Sequence, residues 1–210
     1  MENEIIRKSA TCFANKLNVY IGKEGLDYKK MVLGTEVLIV NISKVIIMYL
    51  LAATLGVFVH TLIIHIAYVA IKRFSFGLYA LNSSVCTIVS CALLVAVPWG
   101  LQGVGIGNAT VLAVFTAVVL CLYKYAPADT KARPLIGKVL RTKLRKKAVI
   151  CGTTLLAIAL VIPNNEAKLL ITLGAVFQCV SILPITYKIL KRSERNYETY
   201  EQVGQDRRQA

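Results

Sequence analysis

Apolar residues in this chain gather in three long windows separated by short basic stretches. Residues 37–71 contain Lys44 as their one charged side chain, residues 84–123 contain none, and residues 148–187 contain Glu166 and Lys168. Each window is about twice the ~20 residues that one membrane-spanning helix needs. Turn signals divide the windows near their middles. Gly100-Leu-Gln-Gly-Val-Gly-Ile-Gly-Asn108 interrupts the second, Pro163-Asn-Asn-Glu-Ala-Lys168 the third, and Thr54-Leu-Gly56 hints at a reversal in the first. The pattern predicts an all-α polytopic membrane protein with six transmembrane helices arranged as three hairpins.

Two further stretches read differently. Residues 5–21 place Ile5, Ile6, Cys12, Phe13, Leu17, Tyr20 and Ile21 at roughly helical spacing among Arg7, Lys8, Asn15 and Lys16. That spacing predicts an amphipathic N-terminal helix, lying on a membrane surface or packed on the rest of the protein. Residues 1–9 are charged without an apolar core and do not read as a signal peptide. Residues 193–210 are polar and are expected to form a mobile tail. A single integral membrane domain over residues 1–192 is the simplest organisation, with 1–36 a cytoplasmic N-terminal region and 124–147 a basic cytoplasmic segment.

Composition agrees and adds an orientation. Of 210 residues 56% are hydrophobic and 17% are charged, against about 25% charged in soluble chains; mean hydropathy is +0.61. The 25 Lys and Arg outnumber the 11 Asp and Glu, a formal charge of +14. Six of the basic residues fall in 1–36, Lys72 and Arg73 follow the first window, nine lie in 124–147 and six in 188–210. The positive-inside rule puts all four flanks in the cytoplasm of a cell membrane, which requires an even number of crossings in every window. A five-span arrangement, with 37–71 crossing once, would strand a basic flank outside.

The candidate chemistry is sparse. Six cysteines (12, 86, 91, 121, 151 and 179) form no C-x-x-C pair, and most are expected to be small buried hydrophobes. His60 and His65, five residues apart, lie ~140° apart around a helix and do not share a face as metal ligands would. They are expected to be hydrogen-bonded structural residues, and neither metal nor cofactor is expected. Cys86 differs. Asn82-Ser83-Ser84 reads as a helix start, so Cys86 falls in a first turn, where the helix dipole favours thiolate. Backbone N–H groups near Ser84–Cys86 could form an oxyanion hole.

The segment Arg73-x-x-x-Gly77-Leu-Tyr79-Ala80-x-Asn-Ser-Ser-x-x-Cys86 resembles the active-site segment of the accessory gene regulator protein B family, membrane cysteine endopeptidases of quorum sensing. Tyr125-Ala-Pro-Ala-Asp-Thr-Lys-Ala-Arg-Pro134 is similar to a second hallmark of that family, and Leu33-Gly34 with Asn41-Ile-x-Lys44 to its first membrane segment. The resemblance implies removal of the C-terminal tail of an autoinducing-peptide precursor, through a Cys86 thioester that an internal nucleophile of the peptide resolves into a thiolactone or lactone ring. It also implies a homodimer.

One departure stands out: the family's general-base histidine falls at Tyr79. A phenol of pKa ~10 is about 0.1% ionised at pH 7 and is a poor base. Turnover is therefore expected to be low, whether by engineering or by natural loss; a non-catalytic peptide-binding or translocating protein is the alternative. Arg73 and Gly77 are expected to shape the loop, with Arg73 meeting a substrate carboxylate. Lys131, Arg133, Arg141, Lys143, Arg145, Lys146 and Lys147 are candidates to receive an acidic precursor tail. The competing reading is anchoring to anionic lipid, each charge contributing ~1 kcal/mol. Nucleic acid is not an expected partner, because no aromatic-interleaved surface accompanies the charges.

Overall fold

The computed structural model describes residues 2–22, 24–77, 83–129, 135 and 137–189, with backbone alone at 2–7, 83–86 and 189. The tail expected at 193–210 lies outside these residues. Among the described residues the regular structure is all helical. The chain forms two compact units, Met1–Thr54 and Leu55–Ala210.

The first unit is a pair of helices, α1 (Glu2–Ile21) and α2 (Gly25–Thr54). Gly22 ends α1 at φ +63°, its N–H donating to Asn18 O at 2.8 Å. Ala10 and Ala14, one turn apart, are fully buried, and the Tyr28 hydroxyl donates to Asn15 Oδ1 across the pair. Phe13, Leu17 and Tyr20 leave an apolar stripe exposed along α1. Cys12 is exposed too, contrary to the buried role expected of most cysteines. Helix α2 starts twelve residues ahead of the apolar window, at Gly25 rather than near residue 37. At 1.5 Å per residue it is ~45 Å long, against a hydrocarbon core of ~30 Å. Its charged first turns, with Lys30 and Asp27 paired at 3.1 Å, suit the headgroup region.

The weak reversal signal at Thr54-Leu-Gly56 is a real break. Helix α2 stops at Thr54, Gly56 turns through φ +72°, and α3 (Phe58–Ser75) begins two residues later. Helix α4 (Ser83–Cys91) runs into a π-helical turn (Ala92–Ala96) and then α5 (Val97–Gly100). Pro98 explains the turn. It has no N–H for the carbonyl four residues back, and its ring crowds that carbonyl. Widening to an i→i−5 bond, Val97 N–H to Ala92 O, accommodates it.

Helices α6 (Asn108–Tyr125), α7 (Lys138–Val161) and α8 (Asn165–Ile182) pack with α3 around the second unit's core, and α9 (Pro184–Ile189) follows. The core face of α6 is Val111, Phe115, Val118 and Leu122, at helical spacing. Helices α3 and α8 pack tightly. A Cβ added to Gly174 would lie 2.6 Å from Ile64 O and 2.9 Å from Ala67 Cβ, so glycine is needed there. Small residues at helix contacts are how membrane helices approach closely, since lipid offers little hydrophobic drive.

Helix α7 begins inside the basic segment. It is helical from Lys138, so Arg141, Lys143, Arg145, Lys146 and Lys147 stand on its first turns. Its first turn carries no acid, although cations at a helix N-terminus oppose the dipole.

Hydrogen bonds define two ends of the second unit. At one end lie the start of α3, the 101–107 loop and the α7–α8 turn, joined by His60, Gly103 and Glu166 and by Ile106 N–H to Asn165 O at 3.2 Å. At the other lie the ends of α3, α6 and α8 and the start of α7, where the basic residues concentrate.

Candidate functional site

The C-terminal end of α3 is built to stop sharply. Phe76 N–H donates to Lys72 O at 2.9 Å, and Phe76 then takes φ +57°, a left-handed value costly for a bulky side chain. Gly77 follows at φ +110°, buried against α8: an added Cβ would meet Ser181 Oγ at 2.9 Å and Ile182 Cγ2 at 3.1 Å. The requirement for glycine here therefore comes from both the backbone angle and the packing against α8.

The two sequence motifs meet at this point. Gly77 N–H donates to Ala128 O at 3.1 Å and Ala128 N–H to Ser75 O at 2.9 Å, so that Phe76 and Ala128 form a parallel bridge. Residues some fifty positions apart are thus locked backbone to backbone. Three more groups hold the junction. Gln178 Nε2 donates to Phe76 O at 2.6 Å and to Ser75 Oγ at 2.7 Å. Arg145 Nε donates to Ala126 O at 2.9 Å, and the Tyr187 hydroxyl to Asp129 O at 3.2 Å.

Beside this junction is a cavity of about 150 Å³, lined by residues that include Lys124, Arg141 and Arg145 and the carboxylate residue Asp129. Arg141 Nη1 donates to Leu135 O at 2.9 Å. Each guanidinium group is thereby tethered to a backbone carbonyl, which restrains its plane at the cavity wall. Three cations against one carboxylate make the cavity electropositive.

Among the described residues, the expected substrate-binding side chains lie on more than one face of α7. Arg141 and Arg145 line the cavity, and Lys147 Nζ sits 5.8 Å from the centre of the Phe74 ring. Lys143 and Lys146 lie with Lys138, Val139 and Thr142 along a different face of α7. Lys131 and Arg133 lie outside the described residues. Arg73 is exposed in the last turn of α3. Helix α4 opens at Ser83, with Ser84 and Cys86 in its first turn as the Asn-Ser-Ser signal predicts. Tyr79 lies outside the described residues, as do the side chains of Ser84 and Cys86.

Sequence reasoning missed Ser75, Gln178, Tyr187 and the partner of His60. A fully buried amide in an otherwise apolar window is the signal that could have found Gln178. His60 Nε2 lies 3.0 Å from Glu166 Oε1, the structural hydrogen-bonded role expected of it.

Helices α2, α3 and α6 are long and apolar enough to cross a membrane. With helices as the regular structure of the described residues and three of them apolar enough to span, this is a helical membrane protein. The chain belongs to the accessory gene regulator B family, whose model matches residues 10–182. It is 40% identical to an AgrB-like protein of Clostridium acetobutylicum over 96% of this chain and 97% of that one. An AgrB-like protein of Listeria innocua is 42% identical over 83% of this chain and 85% of its own length. The accessory gene regulator protein B of Staphylococcus intermedius is 31% identical over 76% and 84% respectively. No solved structure matches. Membership supports the general role implied by the motifs, accessory gene regulation through processing of a quorum-sensing peptide, and links the chain to an autoinducing-peptide precursor.

Proposed function

We propose that this chain is a multi-pass cysteine endopeptidase scaffold of the cell membrane that removes the C-terminal tail of an autoinducing-peptide precursor. The observation that carries the proposal is the backbone lock between the Arg73–Gly77 and Tyr125–Asp129 segments beside an electropositive cavity. In this reading Cys86, in the first turn of α4, is the nucleophile. Its thiolate adds to the scissile carbonyl, and the amide nitrogen leaves with a proton. The acyl group stays on sulfur as a thioester, until a thiol or hydroxyl within the peptide displaces Cys86 and closes the ring. Backbone N–H groups around Ser84–Cys86 stabilise the oxyanion. Arg73 and the cations of α7 receive the acidic tail.

Residues 1–192 act as one integral membrane peptidase domain with six spans. The break at Gly56 supports two crossings within 37–71, and the gathering of basic residues at one end of the second unit supports a cytoplasmic site and termini. Assembly as a homodimer on anionic lipid belongs to the same proposal.

Tyr79 in the base position lowers turnover by ~10²–10⁴-fold. Co-expression with short acidic-tailed precursor peptides tests this directly. Tyr79→His is expected to restore cleavage that the parent chain performs slowly; equal processing by the two removes the role of position 79. If Cys86→Ala binds precursor as well as the parent and neither chain acylates, the protein is a peptide-binding or translocating protein instead.

A further inference from the structure

We infer that Gln178 is a positioning residue for the proposed reaction: its side-chain amide holds the strained Phe76–Gly77 corner from which the chain runs on to position 79. The inference rests on the peptidase reading of Tyr79 and Cys86.

Gln178 is fully buried on α8. Its orientation is dictated by its partners. Phe76 O is a carbonyl and can only accept, so the nitrogen faces it at 2.6 Å. Ser75 Oγ lies 3.0 Å from Ile71 O, to which its hydroxyl donates, so toward Gln178 it acts as acceptor, at 2.7 Å. Both amide hydrogens are spent on the corner. Gln178 Oε1 is buried and has no partner among the described residues. An amide with one half doubly engaged and the other unsatisfied is poorly suited to stabilising a core. It is well suited to fixing a place where the backbone needs to be held.

That place needs holding. Phe76 at φ +57° persists only where its surroundings over-determine it. Here its N–H is taken by Lys72 O, its carbonyl by Gln178, and its neighbours on either side by Ala128. Of these, the Gln178 amide is the side chain, and the others are backbone groups. Position 79 follows Gly77 by two residues, within ~7 Å by covalent geometry. The Phe76–Gly77 corner is therefore the point from which the chain departs toward residue 79.

The experiment needs no peptide substrate. The full-length protein in lipid nanodiscs is alkylated with N-ethylmaleimide across a pH series, and modification of Cys86 is followed by peptide mass spectrometry. In Tyr79→His an imidazole that reaches the thiol should shift the profile to lower pH, giving about tenfold faster modification at pH 7 than in the parent. Gln178→Met in that background keeps side-chain length but has no donor, and should return the profile to that of the parent. Adding Phe76→Gly should restore more than half of the shift, because glycine reaches φ +57° unaided. A profile that stays shifted in Gln178→Met overturns the inference alone. No shift in Tyr79→His overturns the peptidase reading itself. Should Gln178→Met not be recovered folded, Gln178→Glu replaces it. As a buried acid it donates one hydrogen bond in place of two; loss of more than half of the shift supports the inference, and a smaller loss overturns it.

Discussion

His60 on α3 and Glu166 on α8 face each other at 3.0 Å, and the same carboxylate oxygen accepts the Gly103 N–H at 2.9 Å. One oxygen thus ties two helices and the 101–107 loop at the end of the second unit away from the basic residues. Asn164 caps α8 by accepting from Glu166 N–H and Ala167 N–H, so the acid is also held at the favourable end of the helix dipole. Both side chains are about a quarter exposed, which screens the pair. Glu166→Ala is expected to lower the unfolding midpoint. The check is thermal unfolding in detergent. His60→Ala should cost less, because the Gly103 and dipole contacts survive, and an unchanged midpoint in Glu166→Ala would contradict the three-way tie.

Position 174 tolerates nothing beyond hydrogen. The Ile64 carbonyl and Ala67 sit where a side chain would begin, and α3 and α8 would have to separate along the contact that carries the second unit's core. Gly174→Ala is expected to destabilise by about 1–3 kcal/mol and Gly174→Val by more. The same thermal measurement decides, with Gly152→Ala as comparison. There the facing atom is the flexible end of Leu122, and the loss should be smaller.

Gly77→Ala combines two penalties. The backbone at φ +110° disfavours any side chain, and the methyl group would meet Ser181 Oγ at 2.9 Å. The corner should shift, with up to about a tenfold loss of Cys86 modification at pH 7 in the Tyr79→His background, on the proposal that this corner aims position 79. Ser181→Ala added to Gly77→Ala should recover only the steric part. Full recovery would mean that the backbone angle is unimportant.

How much of this was legible beforehand depended on the length scale of the signal. The windows and the Gly-rich and Pro-Asn-Asn turns predicted helices that exist, because spans and breaks follow from local composition. The same holds for the start of α4 at Ser83, where Asn-Ser-Ser is a local capping signal. The helix boundaries at Gly25 and Lys138 were not legible, since charge density marks the edge of a membrane and not the end of a helix. Nor was the lock between Ser75–Gly77 and Ala128, which joins segments far apart in sequence through backbone atoms that no side-chain pattern encodes. Two motifs could be named separately, yet only the fold shows that they touch. Lys143 and Arg145 looked equivalent in a basic run; helical phase separates them, placing Arg145 at the cavity and Lys143 along another face.

That separation gives a prediction about substrate capture. If the cavity receives the acidic tail, the cations that line it should matter and those on the other face of α7 should not. The expected result for Arg141→Gln is a rise in Kd of about tenfold for a fluorescent acidic-tailed peptide, measured with protein in neutral-lipid nanodiscs. Lys143→Gln and Lys146→Gln together should change it by less than about threefold. Arg145 carries two roles, since its Nε holds Ala126 O at 2.9 Å. Arg145→Lys keeps the charge but cannot reproduce the planar fork, so it should weaken binding and also slow Cys86 modification in the Tyr79→His background. Raising salt separates long-range attraction from capture in the cavity. Exposed charges separated by more than ~8 Å are screened at physiological ionic strength, whereas tethered guanidinium groups in a recess are screened less. Anchoring to lipid predicts the opposite ranking: Lys143 and Lys146 would matter as much as Arg141, and chiefly in anionic nanodiscs. Equal effects of the two pairs in neutral lipid would therefore remove the cavity from the substrate path.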